Sequence, residues 1–142
     1  MRPGLIVLAS ALLLAGAAGC KDEMKEMSEY PFFIKVADER WEIARKSLKS
    51  DKPNVSYVAV LATDLDEIRG RLEATYDKPN KDQAVAKVAE IGKAFRADLA
   101  KLVDMRYGKV VLLKGVTAED VAKTVEKTYK TYLEFRAMIQ LD

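Results

Sequence analysis

The sequence predicts an all-α protein, an up-down-up-down four-helix bundle that follows a cleaved signal peptide. Four segments of about 20 residues repeat apolar residues at spacings of three and four, the period of an amphipathic helix. Short turn-forming stretches separate these segments, so consecutive helices are expected to pack antiparallel. The composition agrees, because 142 residues that are 49% hydrophobic and 32% charged suffice for one packed domain.

The first 19 residues have the layout of a secretory signal peptide. Arg2 precedes an apolar run over residues 5–15, and small residues occupy positions 16–19. The apolar run is shorter than the ~20 residues that a membrane-spanning helix needs. We therefore assign residues 1–19 to a signal peptide that is removed from the mature chain.

The single cysteine of the chain follows these small residues directly, in the stretch Ala17-Ala18-Gly19-Cys20. This stretch resembles the lipobox of bacterial lipoproteins, although that family prefers Leu at the place of Ala17. The resemblance implies that Cys20 is diacylated, becomes the first residue after cleavage and is acylated again with a fatty acid such as palmitate. The alternative is an ordinary signal peptide followed by a chance, unpaired cysteine.

The residue after the cysteine bears on which membrane holds the protein. Lys21 resembles the default that sorts lipoproteins to the outer membrane, since the usual signal for retention at the inner membrane is Asp at this place. We therefore expect a lipid-anchored protein of the bacterial cell envelope, at the outer membrane and facing the periplasm. The inner membrane remains the alternative.

A charged tether over residues 20–30 is predicted to lead into the bundle, which occupies residues 31–142. Pro31 suits the first turn of the first helix, where its missing N–H is no loss. Residues 50–54 combine Ser, Asp, Pro and Asn, which is typical of a turn that ends this helix. The apolar stripe of the first helix comprises Phe33, Val36, Ala37, Trp41, Ala44 and Leu48.

The second and third helices follow the same pattern. Asn54 is placed to cap the second helix, residues 77–80 end it, and Asp64, Asp66 and Glu67 are expected on a solvated face. The third helix is expected to reach at least Arg106. The stripe of the second helix is Val58, Leu61, Leu65, Ile68, Leu72 and Tyr76. The stripe of the third is Val85, Val88, Ile91, Phe95, Leu99 and Leu102.

Residues 109–114 are ambiguous, because a short apolar run fits either a strand or a buried helical turn. We favour helix, since no second strand-like segment is evident and a lone strand leaves its backbone groups unpaired. Gly115 is then a plausible C-terminal cap. Thr117 and Asp120 have the spacing of a capping box at the start of the last helix. Its stripe is Val121, Val125, Thr128, Tyr132, Phe135 and Ile139.

The last helix bears a further resemblance, to the attachment motif of cytochromes c′, which reads CxxCHxxFR. Phe135 and Arg136 match that motif, whereas Thr128 and Thr131 replace its cysteines and Tyr132 replaces its histidine. The resemblance implies a scaffold related to cytochrome c′/b562-like four-helix bundles that lacks the haem ligands. The alternative is an amphipathic helix that contains Phe-Arg without any such relation.

The composition excludes several kinds of chemistry. The chain has no histidine, which removes Ser-His-Asp catalysis, HExxH zinc sites and His-ligated haem. Met24 and Met27 have a Met-x-x-Met spacing, but two thioethers in a polar tether are insufficient for a copper site. We therefore predict no catalytic, metal-binding or cofactor-binding residues and no cofactor. Trp41 and the tyrosines are expected in the core, although Tyr129 and Tyr132 would also suit a binding face.

Two classes of function remain. The preferred one is a non-enzymatic helical interaction module that a lipid holds at the membrane and that docks an envelope protein. The alternative is a carrier or sensor that holds a small apolar ligand or a non-covalent cofactor inside the bundle. A net charge of +2 does not favour nucleic acid as a partner. The identity of the partner and the oligomeric state stay open.

Overall fold

The computed structural model describes residues 24–106 and 108–141, and this part of the chain is mostly helical, as predicted. A short helical segment over residues 24–28 precedes four long helices and one hairpin. The elements are α1 (Tyr30–Leu48), α2 (Tyr57–Thr75), α3 (Lys81–Ala100), β1 (Val103–Arg106), β2 (Lys109–Leu112) and α4 (Ala118–Met138). The predicted signal peptide and Cys20 lie outside the described residues. Within the described residues, none of the helices combines the length and apolarity that crossing a membrane would require.

Each of the four long helices contacts the next one along the chain, and α4 also contacts α1. The Tyr30 N–H donates to Thr75 Oγ1 at 3.1 Å, and the Tyr30 hydroxyl donates to the carbonyl of Gln140 at 2.8 Å. Asn80 Nδ2 donates to the carbonyl of Met138 at 2.8 Å. These bonds place the start of α1, the end of α2, the start of α3 and the end of α4 at one end of the fold, called the Tyr30 end below.

The apolar stripes predicted for α2 and α4 are buried without exception, since every one of their twelve residues is at most 8% exposed. On α1 the buried face is rotated slightly, because Ile34 is fully buried while Phe33 and Val36 are only partly buried. On α3 the stripe is confirmed except for Val85 and Leu102, which are also partly buried. The helices therefore share one apolar core.

The ends of the helices follow from local hydrogen bonding. Thr117 Oγ1 accepts from the Asp120 N–H and the Asp120 carboxylate accepts from the Thr117 N–H, so the predicted capping box is confirmed. These bonds from Thr117 lower the pKa of Asp120. Pro31 lies in the first turn of α1, as expected. Asn54 does not cap α2, because Ser56 holds that position and Asn54 instead accepts from the Ser56 N–H at 2.9 Å.

The segment between α3 and α4 differs from the prediction. Helix α3 ends at Ala100, whereas it was expected to reach at least Arg106. The prediction that residues 109–114 are helical is wrong, because Lys109–Leu112 form strand β2. Strand β1 supplies the partner that β2 needs, and the two pair antiparallel from Val103↔Leu112 to Arg106↔Lys109. Gly108 has a φ of 75° at the turn, a conformation that favours a hairpin over a helix. Gly115, with a φ of 83°, follows the hairpin and caps no helix.

Candidate functional site

The side of the molecule where α1 meets α4 is built around Trp41, which is completely buried. The Trp41 ring centroid lies 5.3 Å from that of Tyr132 and 5.7 Å from that of Tyr129, both on α4, and both pairs are stacked. Phe95 of α3 packs against the same ring at 5.8 Å. The Trp41 indole Nε1–H has no hydrogen-bond partner in the described part of the chain. The aromatic cluster therefore joins three helices at the centre of the fold.

A polar network covers one side of this cluster. The Tyr132 hydroxyl donates to Asp38 Oδ1 at 2.6 Å, and Arg136 Nε donates to the two oxygens of the same carboxylate at 2.9 and 3.0 Å. Burial and the hydrogen bond to Asp38 raise the pKa of Tyr132 well above that of a free tyrosine. The phenol therefore remains a neutral donor, and Asp38 ties α1 to α4 through two residues of α4.

A second network crosses from α1 to α4 one to two turns further from the Tyr30 end. Arg45 Nε donates to Glu126 Oε1 at 2.8 Å, and Lys49 Nζ lies 3.2 Å from the same oxygen. The hydrogen bond from Arg45 lowers the pKa of Glu126. The Arg45 guanidinium also lies over the Tyr129 ring, 4.1 Å from its centroid, a cation–π geometry. Tyr129 is half-buried, and burial is the main reason that its pKa is raised.

Two open depressions flank these networks. The larger has a volume of about 670 Å³ and lies between the end of α1 and the first half of α4; we call it the α1–α4 groove. Its apolar lining comprises Leu48, Pro53, Ala118 and Ala122, and its charged rim includes Glu119, Lys123 and Lys130. The smaller, of about 520 Å³, lies beside Tyr129 and is lined by Glu42, Leu133 and Ala137 together with Asp38 and Arg136.

These surfaces are lined by apolar, small and charged side chains. Within residues 24–106 and 108–141, no three His, Cys, Asp or Glu residues cluster in a way that could hold a metal ion. The carboxylates on the α1–α4 side are already engaged, Asp38 by Arg136 and Glu126 by Arg45. The α1–α4 groove has an apolar floor with small side chains and fixed charges at its rim.

Asp64 departs from its predicted solvated position, because it is a buried residue of α2 that is only 8% exposed. Its Oδ1 lies 2.6 Å from Arg40 Nη1 of α1, and its Oδ2 has no hydrogen-bond partner among the described residues. Burial raises the pKa of Asp64, and the charge of Arg40 opposes that rise only in part. Helix α1 thus covers the Asp64 carboxylate, although the apolar pattern of α2 by itself predicted this residue at the surface.

The structure brings together part of what the sequence singled out. Tyr132 is core, as expected by default, and Tyr129 lies at the surface of the same cluster, where it borders the smaller depression. Asp38, Arg45 and Glu126 were missed. Asp38 and Arg45 lie three residues before and four residues after Trp41, so helical spacing places them beside the tryptophan.

Comparisons with protein-family models, with curated proteins and with solved structures found no match to this chain.

Proposed function

We propose that this protein is a lipid-anchored module of the bacterial envelope that binds a partner protein and carries out no reaction. The observation that carries the proposal is the α1–α4 groove, whose apolar floor is flanked by charged side chains. The occupant that fits is an amphipathic helix of the partner, because such a helix presents an apolar face and polar edges in the same arrangement. Ala118 and Ala122 lie one turn apart in the groove and leave room for close approach.

We propose the up-down-up-down four-helix bundle as the architecture that presents this groove. The bonds of Tyr30 and Asn80 at the Tyr30 end support it, since they join helix starts to helix ends. In this arrangement the α1–α4 groove, which is lined by Leu48 and Ala118, lies at the end of the fold opposite the Tyr30 end. A lipid on Cys20 would hold the Tyr30 end near the membrane, so the groove would face the periplasm.

The membrane anchor has a test of its own. The Cys20→Ala variant should no longer incorporate labelled palmitate and should be released from the membrane fraction. Cys20→Ser serves as a second variant, because it keeps the size of the side chain and also removes the thiol. If either variant stays with the membrane as the unchanged protein does, and the unchanged protein never takes up label, the lipoprotein proposal is wrong.

The groove can be tested by filling it. Ala122→Trp places a large side chain on the floor of the groove, whereas Ala86→Trp makes the same change at an exposed position of α3 and serves as the matched control. Each variant is tagged, purified from detergent-solubilised envelopes with bound proteins, and checked by circular dichroism. We expect a stoichiometric protein partner with the control and at least ten-fold less of it with Ala122→Trp.

The contact itself can be mapped with a photo-crosslinking amino acid in place of Lys123 on the rim. The proposal expects crosslinks to an amphipathic helical segment of the captured partner. Equal capture by both tryptophan variants would contradict it. Co-purification of a lipid or pigment in place of a protein would instead support the carrier function, although the centre of the fold is filled by Trp41 and the rings that pack on it.

A further inference from the structure

The hairpin between α3 and α4 presents an open strand edge. In a two-stranded sheet each strand has one edge that faces away from the other strand, and on β2 this edge belongs to residues 109–112. The Leu113 N–H donates to the Leu102 carbonyl at 2.9 Å, so these two residues form a hydrogen-bonded pair. Bonded and non-bonded pairs alternate in an antiparallel ladder, and Val110 and Leu112 therefore point their N–H and C=O groups away from β1. We call these outward groups the β2 edge.

The β2 edge has no partner in the described part of the chain, since no hydrogen bond reaches the outward groups of Val110 or Leu112 there. The side chains beside it are apolar and exposed, with Val111 55% and Leu113 37% exposed. An accessible strand edge that lacks a partner and is flanked by apolar side chains is a surface on which another strand can pair.

The charges around this edge are positive. Lys109 is the first residue of β2, and Lys114 lies two residues beyond its last residue. Neither lysine has an ion pair among the described residues. Arg106 differs from these lysines, because the Asp104 carboxylate neutralises it. The strand is thus bracketed by two unneutralised lysines.

We propose that the β2 edge binds an extended segment of a partner protein by strand addition, and that this segment is apolar in the middle and acidic at both ends. The backbone of the segment would supply hydrogen bonds to Val110 and Leu112. Its apolar side chains would cover Val111 and Leu113, and its carboxylates would pair with Lys109 and Lys114. The β2 edge shares no residue with the α1–α4 groove, so it is a second surface beyond the proposed function.

Two other occupants fit the chemistry less well. A second copy of this chain, paired edge to edge, would bring the lysines of the two hairpins together at both ends of the strand, and like charges oppose that pairing. An anionic lipid surface would attract the lysines, but its hydrocarbon gives the open N–H and C=O groups nothing to bond with. A polypeptide satisfies the charges and the backbone together.

The test uses the full-length chain in detergent micelles and three dye-labelled peptides, with binding measured by fluorescence anisotropy. The probe EEVTVTVEE has the proposed character. KKVTVTVKK reverses its charge, and EEVPVPVEE keeps its charge but cannot pair as a strand, because proline lacks the N–H. The proposal expects the first peptide to bind at least ten-fold more tightly than either of the others. Equal binding of both acidic peptides would overturn it, since attraction of charge alone would then suffice.

Two variants test the edge directly. Val110→Pro removes an outward N–H without removing a bond of the ladder, a position where an edge strand tolerates proline, and Val110→Ala shortens the same side chain but keeps the N–H. We expect at least ten-fold weaker binding of EEVTVTVEE by the proline variant and little change for the alanine variant. Amide exchange at Val110 and Leu112 should slow when the peptide binds. Unchanged affinity in the proline variant, or unchanged exchange at these two amides, would overturn the proposal.

A contact between the β2 edge and the membrane would give a different pattern of results. The labelled chain is placed in phosphatidylcholine nanodiscs with or without one quarter of phosphatidylglycerol, and the amide signals of β2 are compared. Shifts with the anionic lipid, without binding of the acidic peptide, would overturn the proposal in favour of a membrane contact. Binding of none of the peptides would also overturn it and leave the lysines as a guard against self-pairing. Neither result affects the groove, which the Ala122→Trp experiment tests separately.

Discussion

The bond between the Tyr132 hydroxyl and Asp38 makes a quantitative prediction about the α1–α4 side. Tyr132→Phe removes one oxygen and leaves the ring, which is 1% exposed, among its aromatic neighbours. The lost bond is a 2.6 Å contact to a carboxylate. Asp38 keeps both of its bonds from Arg136 and is partly open to water, so the variant leaves no unpaired charge in the interior.

The expected loss follows from these facts. A hydrogen bond to a charged group contributes about 1.5–3 kcal/mol, and the partial exposure of Asp38 favours the lower end of that range. We therefore expect Tyr132→Phe to lower the free energy of unfolding by about 1.5 kcal/mol. For a helical domain of this size that loss corresponds to a fall in Tm of roughly 6 °C.

The assay is equilibrium unfolding in urea, combined with a double-mutant cycle that uses Asp38→Ala. The two changes should be coupled by about 1–2 kcal/mol, because each removes the same hydrogen bond. Tyr57→Phe is the matched control, since no hydrogen bond to the Tyr57 hydroxyl occurs among the described residues; it should change stability by less than about 0.5 kcal/mol.

The pH dependence gives the prediction a second check. The pKa of Tyr132 is raised in the folded chain. The contribution of its hydroxyl to the free energy of unfolding is therefore complete below the ordinary pKa of tyrosine and is lost as the pH rises through the raised pKa. The difference between the unchanged protein and Tyr132→Phe should stay constant from about pH 6 to pH 9 and shrink at higher pH. If Tyr132→Phe left the free energy of unfolding unchanged, or if the double-mutant cycle showed no coupling between Tyr132 and Asp38, the reasoning would be refuted.

Four further substitutions each test a single position. Asp64→Asn should gain stability relative to the unchanged protein as the pH rises from about 3 to 7, because the raised pKa of Asp64 makes its ionisation costly in the folded state. The measurement is urea unfolding of both proteins at several pH values, and a difference in unfolding free energy that does not change with pH would contradict this. Gly70→Ala, exposed and inside α2, should stabilise the chain by about 0.5–1 kcal/mol. Gly108→Ala should instead destabilise the hairpin, because a φ of 75° is strained for alanine, and amide exchange at Val111 should become faster. If both glycine substitutions stabilised the chain, or both destabilised it, this reasoning would be contradicted. Thr117→Ala should cost about 1 kcal/mol in thermal unfolding, and no loss would mean that the capping box is unimportant.

The helical elements were predictable because their signals are local. The stripe of α2 from Val58 to Tyr76 repeats at the helical period, and each of its residues is buried. Thr117 and Asp120 stand three residues apart and make their bonds within one turn. In both cases residues a few positions apart contain all the information, so the sequence can be interpreted without knowing the neighbouring helices.

The hairpin was not predicted because it depends on the pairing of two segments and not on the pattern within one of them. Residues 109–114 are compatible with a helix or a strand, and only the pairing of Val103 with Leu112 decides between them. Residues 101–106 continue the helical period of α3, which concealed β1. The glycine at position 108 was the available signal, since a glycine between two short apolar runs is typical of a hairpin turn, and its φ of 75° in the structure agrees with such a turn.

The candidate site was predictable only in its aromatic part. Trp41, Tyr129 and Tyr132 stood out by residue type, whereas the roles of Asp38 and Arg45 depend on which residues of α4 lie opposite them. Partners on α4 are more than 80 positions away in sequence, and helical spacing carries no information across that distance.

The sequence by itself determined the helical class, the buried apolar stripes of α2 and α4 and the capping of α4, because periodicity and capping act between neighbouring residues. It also carries the prediction of a lipid anchor at Cys20, which concerns a segment outside the described residues. The tertiary structure alone decided that Asp64 is covered by Arg40, that β1 and β2 pair, and that α1 and α4 frame a groove. These features depend on contacts between distant segments, and burial, strand pairing and surface shape arise only when those segments pack together.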